Sequence, residues 1–362
     1  MIHRTFFGLF QANLIYALSP AVVRAPAAIP TGVKWQFEIQ DPLLVPANTD
    51  DPLEPEDAQV WDIDLWHAYK NPEIVRRLHA RQKTVICYFN FGAVQREDCD
   101  FDLWLDQGLW NGTWYGDAGG NDPYCEKYVD LQDPAVLELL RRRLRTAADA
   151  GCDGVDPDNI DVYTVDDRIN LQQNAQIIRD MAAYAKSSEV SKQMLFGQKN
   201  AQEMVPELVG TLDFAVLENC IREDFCSEFN AYVNSNPPKP VVAIEYPPSL
   251  GSDTSPGGCN SSGINTTDRG LFCNNQANKV PAGFSEVLKL DFDRYGLNNC
   301  TQYCDSEMVL ISPAKEAEPG VDSCEHQFSQ CSTNPPDPTY CRNLCCEDNE
   351  GCGNPSLKFF RF

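Results

Sequence analysis

Four acids, Asp153, Asp156, Asp158 and Asp161, fall within the stretch Gly151-Cys152-Asp153-Gly154-Val155-Asp156-Pro157-Asp158-Asn159-Ile160-Asp161. Like charges at this spacing repel unless a cation, a shared proton or solvent relieves them. Such a stretch can be a calcium loop or a plain solvated turn; it can also be a strand end that opens an active site. The EF-hand loop requires Gly at its sixth position, and the sixth residue counted from Asp153 is Asp158. On local spacing alone the catalytic and the merely structural readings stand level.

A catalytic role needs elements that bring distant groups to one place. Short β-branched or aromatic runs recur between helical patterns at 35–40, 60–66, 84–91, 153–158, 194–199, 213–218, 241–246 and 286–291. Each is continuous enough to be buried on both faces of a parallel sheet. Eight βα units predict an α/β fold, a (β/α)8 TIM barrel, whose active site gathers at the carboxyl ends of the strands. The helix before the acid-rich strand is the best marked. Asp133 can cap it, Pro134 suits its first turn, Val136, Leu140, Leu144 and Ala147 form one apolar stripe, and Gly151 ends it. A second helix over 72–82 turns Ile74, Val75 and Leu78 inward and its arginines outward.

Read at the strand ends, the candidates are Asp62 and Asp64, Tyr88 and Asn90, Asp156 and Asp158, Lys199 and Asn200, Glu218, and Glu245 beside Tyr246. Any one of them is commonly an ordinary polar strand end. Their coincidence on six of eight strands points to an acidic site. Two carboxylates flanking a glycosidic bond are the usual means of its hydrolysis, one protonating the leaving oxygen and the other attacking or activating water. The chain has no Gly-x-Ser-x-Gly, no phosphate-binding Gly-rich loop and no dinucleotide fingerprint. With only four His, metal hydrolysis lacks ligands, and neither a metal nor another cofactor is expected.

The whole chain has 53 acids against 29 bases, a net charge of −24. Such a surface repels a phosphate backbone, which argues against nucleic acid, and it suits solubility or a polycationic substrate. Sixteen cysteines are too many for a reducing cytosol. Sequons at Asn111, Asn260, Asn265 and Asn299 point to the same compartment. Residues 1–28 read as a cleaved signal peptide: a short basic start, an apolar run from Thr5 to Leu18, then small residues. No later run reaches the roughly 20 apolar residues of a membrane span. A secreted, disulfide-bonded product, acting as a monomer, is expected.

Two long segments, 92–132 and 247–285, follow strands and are expected at the catalytic face. Within the second, Cys259 and Cys273 are expected to staple it locally, and its sequons mark it as an exposed lid. The catalytic domain is expected over 29–304. Residues 305–362 read as a disulfide-rich C-terminal extension that caps the barrel, since eight cysteines crowd the polar chain from Cys300 to Cys352.

The succession Trp35-Gln36, Asp62-Ile63-Asp64, Val85-Ile86-Cys87-Tyr88-Phe89, Gly151 to Asn159, Lys199-Asn200, Phe214-Ala215-Val216, Glu218-Asn219-Cys220 and Glu245-Tyr246 resembles glycoside hydrolase family 114, the secreted endo-α-1,4-polygalactosaminidases. The match runs in order over roughly 33–304. It implies a (β/α)8 barrel that cleaves partly deacetylated galactosamine polymers. Carried over by position, Asp158 is the nucleophile and Glu218 the acid/base of a retaining enzyme. Asp64, Tyr88, Asp156, Lys199, Asn200 and Glu245 line the sugar subsites, with Asp153 at the strand's start and Asp161 in the following turn. A cationic polysaccharide then gives the acidic surface a use. After Phe89 the family pattern runs Ser-Ala-Gly-Ser with an acidic residue and a Trp; here Asn90-Phe91-Gly92-Ala93-Val94-Gln95 stands instead, which bears on subsite shape.

A chitinase-like reading matches Asp153-Gly154-Val155-Asp156-Pro157-Asp158, yet its required Glu position is Ile160, so that substrate-assisted mechanism lacks its proton donor. A non-catalytic secreted carbohydrate-binding barrel is the alternative of a different class. The retained Asp158 and Glu218 argue against it.

Overall fold

The computed structural model describes residues 26–95, 98–110, 112, 126–251, 258–274, 280–290 and 297–315. The expected signal segment up to residue 25, the Asn111 sequon and the cysteines beyond Cys304 lie outside them.

All eight expected runs form strands. They are β1 (Trp35–Glu38), β2 (Val60–Asp64), β3 (Thr84–Asn90), β4 (Gly154–Asp158), β5 (Leu195–Lys199), β6 (Phe214–Glu218), β7 (Val241–Glu245) and β8 (Ser285–Lys289). Neighbours pair in parallel in that order. Two further strands, β9 (Cys300–Gln302) and β10 (Val309–Ile311), add antiparallel and complete a ten-stranded sheet. The sheet curls until its eighth strand meets its first. Ser285 Oγ donates to Val33 O (2.5 Å), and the buried Lys289 Nζ donates to Phe37 O (2.7 Å). This mixed α/β architecture is compatible with a TIM-like barrel.

Strand residues alternate between two apolar clusters, as the period of two requires. Trp35, Phe37, Val60, Ile86, Leu195, Phe214, Val216, Val242, Ile244 and Val287 pack together inside the curl. Trp61, Ile63, Val85, Phe89, Val155, Phe196, Ala215, Leu217 and Ala243 pack outward against the helices. Gly197 keeps the inner layer feasible, because a Cβ there would lie 2.4 Å from the Phe214 ring.

The helices α1 (Leu65–Lys70), α2 (Glu73–Ala80), α3 (Phe101–Asp106), α4 (Pro134–Ala150) and α5 (Leu171–Ala185) cover the outer face. Helix α4 forms as its sequence dictates. Asp133 accepts from Ala135 N, Pro134 begins the helix, and Gly151 ends it at φ +94°, a left-handed conformation that costs Gly little. The second expected strand was to run to residue 66, but it stops at Asp64. That carboxylate accepts from Trp66 N (2.8 Å) and His67 N (3.0 Å), so it caps α1 and turns the chain out of the sheet.

Three of the described disulfides join residues 31 or more positions apart, and one is local. Cys87 on β3 is joined to Cys152 before β4, and Cys220 to Cys226. The local Cys259–Cys273 staple is not formed. Cys259 pairs with Cys300 and Cys273 with Cys304, which anchors the 247–285 insertion to β9 instead of closing it on itself. Spacing along the chain cannot choose among such pairings, because the partners are set by which strands lie adjacent. The sheet also continues past residue 304: Gln36 Nε2 donates to Ser312 Oγ (2.6 Å), and Leu43 bridges to Ala314. Among the described residues no helix is long and apolar enough to cross a membrane.

Candidate active site

Along six of the eight central strands, β2 to β7, the inward positions change character from apolar to polar. Val60 gives way to Asp62 and Asp64, Ile86 to Tyr88 and Asn90, Gly154 to Asp156 and Asp158, Leu195 to Lys199, Val216 to Glu218, and Ile244 to Tyr246. Because the strands are parallel, these polar ends collect at one mouth.

Lys199 stands at the centre. Its Nζ lies 3.4 Å from Asp158 Oδ1, 3.4 Å from Glu218 Oε2 and 3.9 Å from Asp156 Oδ2, and 5.2 Å above the Tyr88 ring. The side chains of Lys199 and Asp156 are 2% and 1% exposed, whereas Asp158 and Glu218 keep 19% and 17%. The last two therefore face the opening, and the ammonium sits beneath them as a fixed counter-charge. Burial alone would lower the Lys199 ammonium; the carboxylates of Asp158, Glu218, Asp156 and Asp62 outweigh it and hold the group well above its usual range.

Each outer carboxylate also receives a phenol. Tyr88 donates to Asp158 Oδ2 (2.8 Å), and Tyr246 donates to Glu218 Oε1. Burial, followed by the neighbouring carboxylate, keeps both phenols protonated well above the ordinary tyrosine range.

Deeper in, Asp62 and Asp156 are completely buried, and neither oxygen of either carboxyl has a hydrogen-bond partner among the described residues. Burial, opposed by Lys199 and reinforced by Asp158 and Glu218, raises Asp156 to about 7. Burial and Asp156 raise Asp62 well above its usual range. A carboxyl in such a place is favoured in its neutral form.

The strand exits share one device. Asp158, Lys199 and Glu218 are each followed by an Asn at positive φ: Asn159 at +54°, Asn200 at +40° and Asn219 at +58°. Asn tolerates this left-handed conformation better than most residues, and it turns the chain away at once. Asn159 N donates to Asp158 Oδ1 (2.9 Å), and Asn200 Oδ1 accepts from Glu218 N (2.8 Å). Arg143 on α4 braces the β3 exit: its guanidinium, fully buried, binds Asp98 (2.8 Å), Asp100 (2.6 Å) and Asn90 O (2.6 Å).

Of the residues expected from the sequence, Tyr88, Asp156, Asp158, Lys199, Asn200 and Glu218 come together. Two stand apart. Asp64 lies on the inward side, but its carboxylate is engaged in capping α1. Glu245 occupies the outward position of β7, where its Oε1 accepts from Ile221 N (2.7 Å). Its neighbour Tyr246 is the inward residue. Tyr246 was marked only as Glu245's neighbour; the alternation Val242, Ile244, Tyr246 would have chosen it.

Among the described residues two sets have metal-like spacing, Cys220, Cys226 and Glu245, and Cys273, Glu286 and Cys304. In both the sulfurs are tied in disulfides and offer no thiolate.

Two carboxylates at the mouth of a curled parallel sheet, both beside a buried cation, are compatible with glycoside hydrolysis. Residues 17–309 match the model of glycoside-hydrolase family GH114, and the chain belongs to that family. Among solved structures, it is similar to Aspergillus fumigatus Ega3 in complex with galactosamine, at 27% identity over 78% of this chain and 98% of that one, with a TM-score of 0.60. The glycoside hydrolase domain of PelA from Pseudomonas aeruginosa aligns at 16% identity over 71% of this chain and 94% of that one, with a TM-score of 0.46. No curated protein sequence matches. The protein is a glycoside hydrolase.

Proposed function

We propose that the protein is a secreted endo-acting enzyme that cleaves α-1,4-linked galactosamine polymers by a two-carboxylate, retaining mechanism on a closed (β/α)8 barrel. The observation that carries this reading is the pair Asp158 and Glu218, each 3.4 Å from Lys199 Nζ and each partly open to solvent. Their nearest oxygens are at most twice that distance apart. Retention is carried over from the family resemblance, and retaining carboxyl pairs stand about 5–5.5 Å apart, inverting pairs about 6.5–9.5 Å.

Asp158, with Lys199 Nζ 3.4 Å away and aimed by the Tyr88 hydroxyl, attacks the anomeric carbon as Glu218 gives its proton to the departing glycosidic oxygen. The carbon–oxygen bond to the leaving chain breaks, and a bond to Asp158 forms. Glu218, now ionised, takes a proton from water, which attacks the same carbon and frees Asp158. Deacetylated galactosamine units are cationic, so the acidic surface would concentrate them. The galactosamine bound to Ega3 and the described disulfides support the substrate class and the secreted setting.

The test is incubation with deacetylated galactosamine polymer, chitosan and chitin, with reducing ends counted. Cleavage of the galactosamine polymer that is lost in both Asp158→Asn and Glu218→Gln is the expected result. Unimpaired variants would sink the assignment, and binding without cleavage would favour a carbohydrate-binding barrel.

A further inference from the structure

Asp158 is held from three sides, by Lys199, by the Tyr88 hydroxyl and by the backbone N–H of Asn159. The third hold depends on the left-handed backbone of Asn159, which its side chain secures. Asn159 Nδ2 donates to Glu126 Oε1 (3.1 Å) and to Asn90 Oδ1 (3.1 Å). Asn90 Nδ2 donates to the same Glu126 oxygen, and Asn90 Oδ1 also accepts from Ala93 N (3.0 Å). The backbone closes on this cluster: Phe91 N and Gly92 N donate to Asp158 O at 2.9 and 3.1 Å. A Cβ on Gly92 would lie 1.6 Å from Asn159 O, so only Gly allows that approach. Glu126 and Asn90 are 3% and 2% exposed, which leaves their carboxylate and amide turned to the protein and away from substrate.

We propose that Glu126 is a positioning residue for Asp158, acting through the Asn159 side chain to lock the turn that aims a backbone N–H at the nucleophile. The physical case is the pairing of a buried carboxylate with the amide donors of Asn159 and Asn90 on one oxygen, with Gln95 Nε2 at 3.5 Å from the other. Such charge-assisted bonds are roughly twice as strong as neutral ones and lose much when one partner is removed. The proposal rests on the reading of Asp158 as nucleophile given above.

The test measures kcat and KM on deacetylated galactosamine polymer for Glu126→Ala, Glu126→Gln, Asn159→Gly, the Glu126→Ala/Asn159→Gly double variant and Asp158→Asn, with thermal unfolding of each. Glu126→Gln keeps an acceptor oxygen and should stay within about threefold of the parent; Glu126→Ala should lose about 10- to 100-fold in kcat with KM nearly unchanged. Asn159→Gly keeps the left-handed backbone but cuts the link, so it should resemble Glu126→Ala. The double variant should be no worse than either single one, because both lie on one line of contact. Parental kcat in Glu126→Ala beside an inactive Asp158→Asn overturns the proposal, as do losses that multiply in the double variant. If Glu126→Ala does not fold, parental kcat in Asn159→Gly overturns it equally. An active Asp158→Asn is a separate failure, that of the assignment of Asp158 itself.

Discussion

Tyr246 donates its phenolic hydrogen to Glu218 from the neighbouring strand, as Tyr88 does to Asp158. Each carboxylate of the pair therefore has its own aromatic donor. Tyr88 takes an inward position on β3, and Tyr246, the residue just after β7, continues the inward alternation of Val242 and Ile244. Replacing Tyr246 or Tyr88 by Phe keeps the ring and removes only the hydroxyl. Loss of the hydrogen bond that orients a carboxyl of the pair predicts a fall of about 10- to 100-fold in kcat. Initial rates of reducing-end release with folded variants check it, and rates within twofold of the parent would contradict it.

Lys199 is the only basic side chain within 4 Å of Asp158 or Glu218 among the described residues, and it also faces Asp156. Lys199→Met leaves buried acids without their counter-charge, so it should cost about 3–5 kcal/mol of stability. Urea unfolding of the two proteins side by side measures this. Activity should fall at the same time, because Asp158 and Glu218 would both lose the ammonium that stands 3.4 Å from each.

Asp156 holds its proton up to about 7 in the folded chain. An unfolded Asp releases it at about 3.9. Between these values the native state binds more protons, so this contribution is present at acidic pH and is lost as pH rises through about 7. Asp64 and Glu245, raised by burial to about 7, act in the same direction. Asp153 acts oppositely: burial raises it, but His79 and Lys192 outweigh that and lower it, so its contribution is lost as pH falls. The larger group predicts a denaturation midpoint lower at pH 8 than at pH 5, with a smaller drop in Asp156→Asn. Equal slopes in the two proteins would remove Asp156 as a cause.

The Cys87–Cys152 disulfide closes a loop of 65 residues between β3 and the start of β4, the strands that carry Tyr88 and Asp158. Its replacement by Ala at both positions should cost about 2–5 kcal/mol, measured by denaturant unfolding of the oxidised proteins.

The net charge of −24 predicts a salt effect on a cationic polymer. Screening shortens from about 10 Å at 0.1 M to about 3 Å at 1 M, so KM should rise with salt while kcat changes little. A fully acetylated, uncharged polymer is the control, and the same salt response there would refute electrostatic attraction as its cause.

All eight central strands could be read from the chain because continuous apolar runs and flanking turns are local signals. The same holds for α4, whose cap, first-turn Pro and terminal Gly all sit within its own segment. Of the candidate catalytic pair, Asp158 and Glu218 could both be picked out as strand ends. The strand exits held a further sign, the recurrence of Asp158-Asn159, Lys199-Asn200 and Glu218-Asn219, whose Asn residues take positive φ.

What lay beyond the sequence is non-local. Glu245 and Tyr246 are adjacent in the chain, and only their place on β7 assigns one to the helix layer and the other to the site. Asp64 could be read as a strand end, but its neighbours' free N–H groups engaged it as a cap. Cys259 and Cys273 lay near one another and still found partners on and just after β9. Glu126 comes from a long segment with no periodic pattern, so nothing local marks it. The amino-acid order determined the elements and their polar ends, because backbone periodicity and capping act over a few residues. The tertiary structure decided which ends meet around Lys199, because curling the sheet brings together side chains that the chain keeps apart.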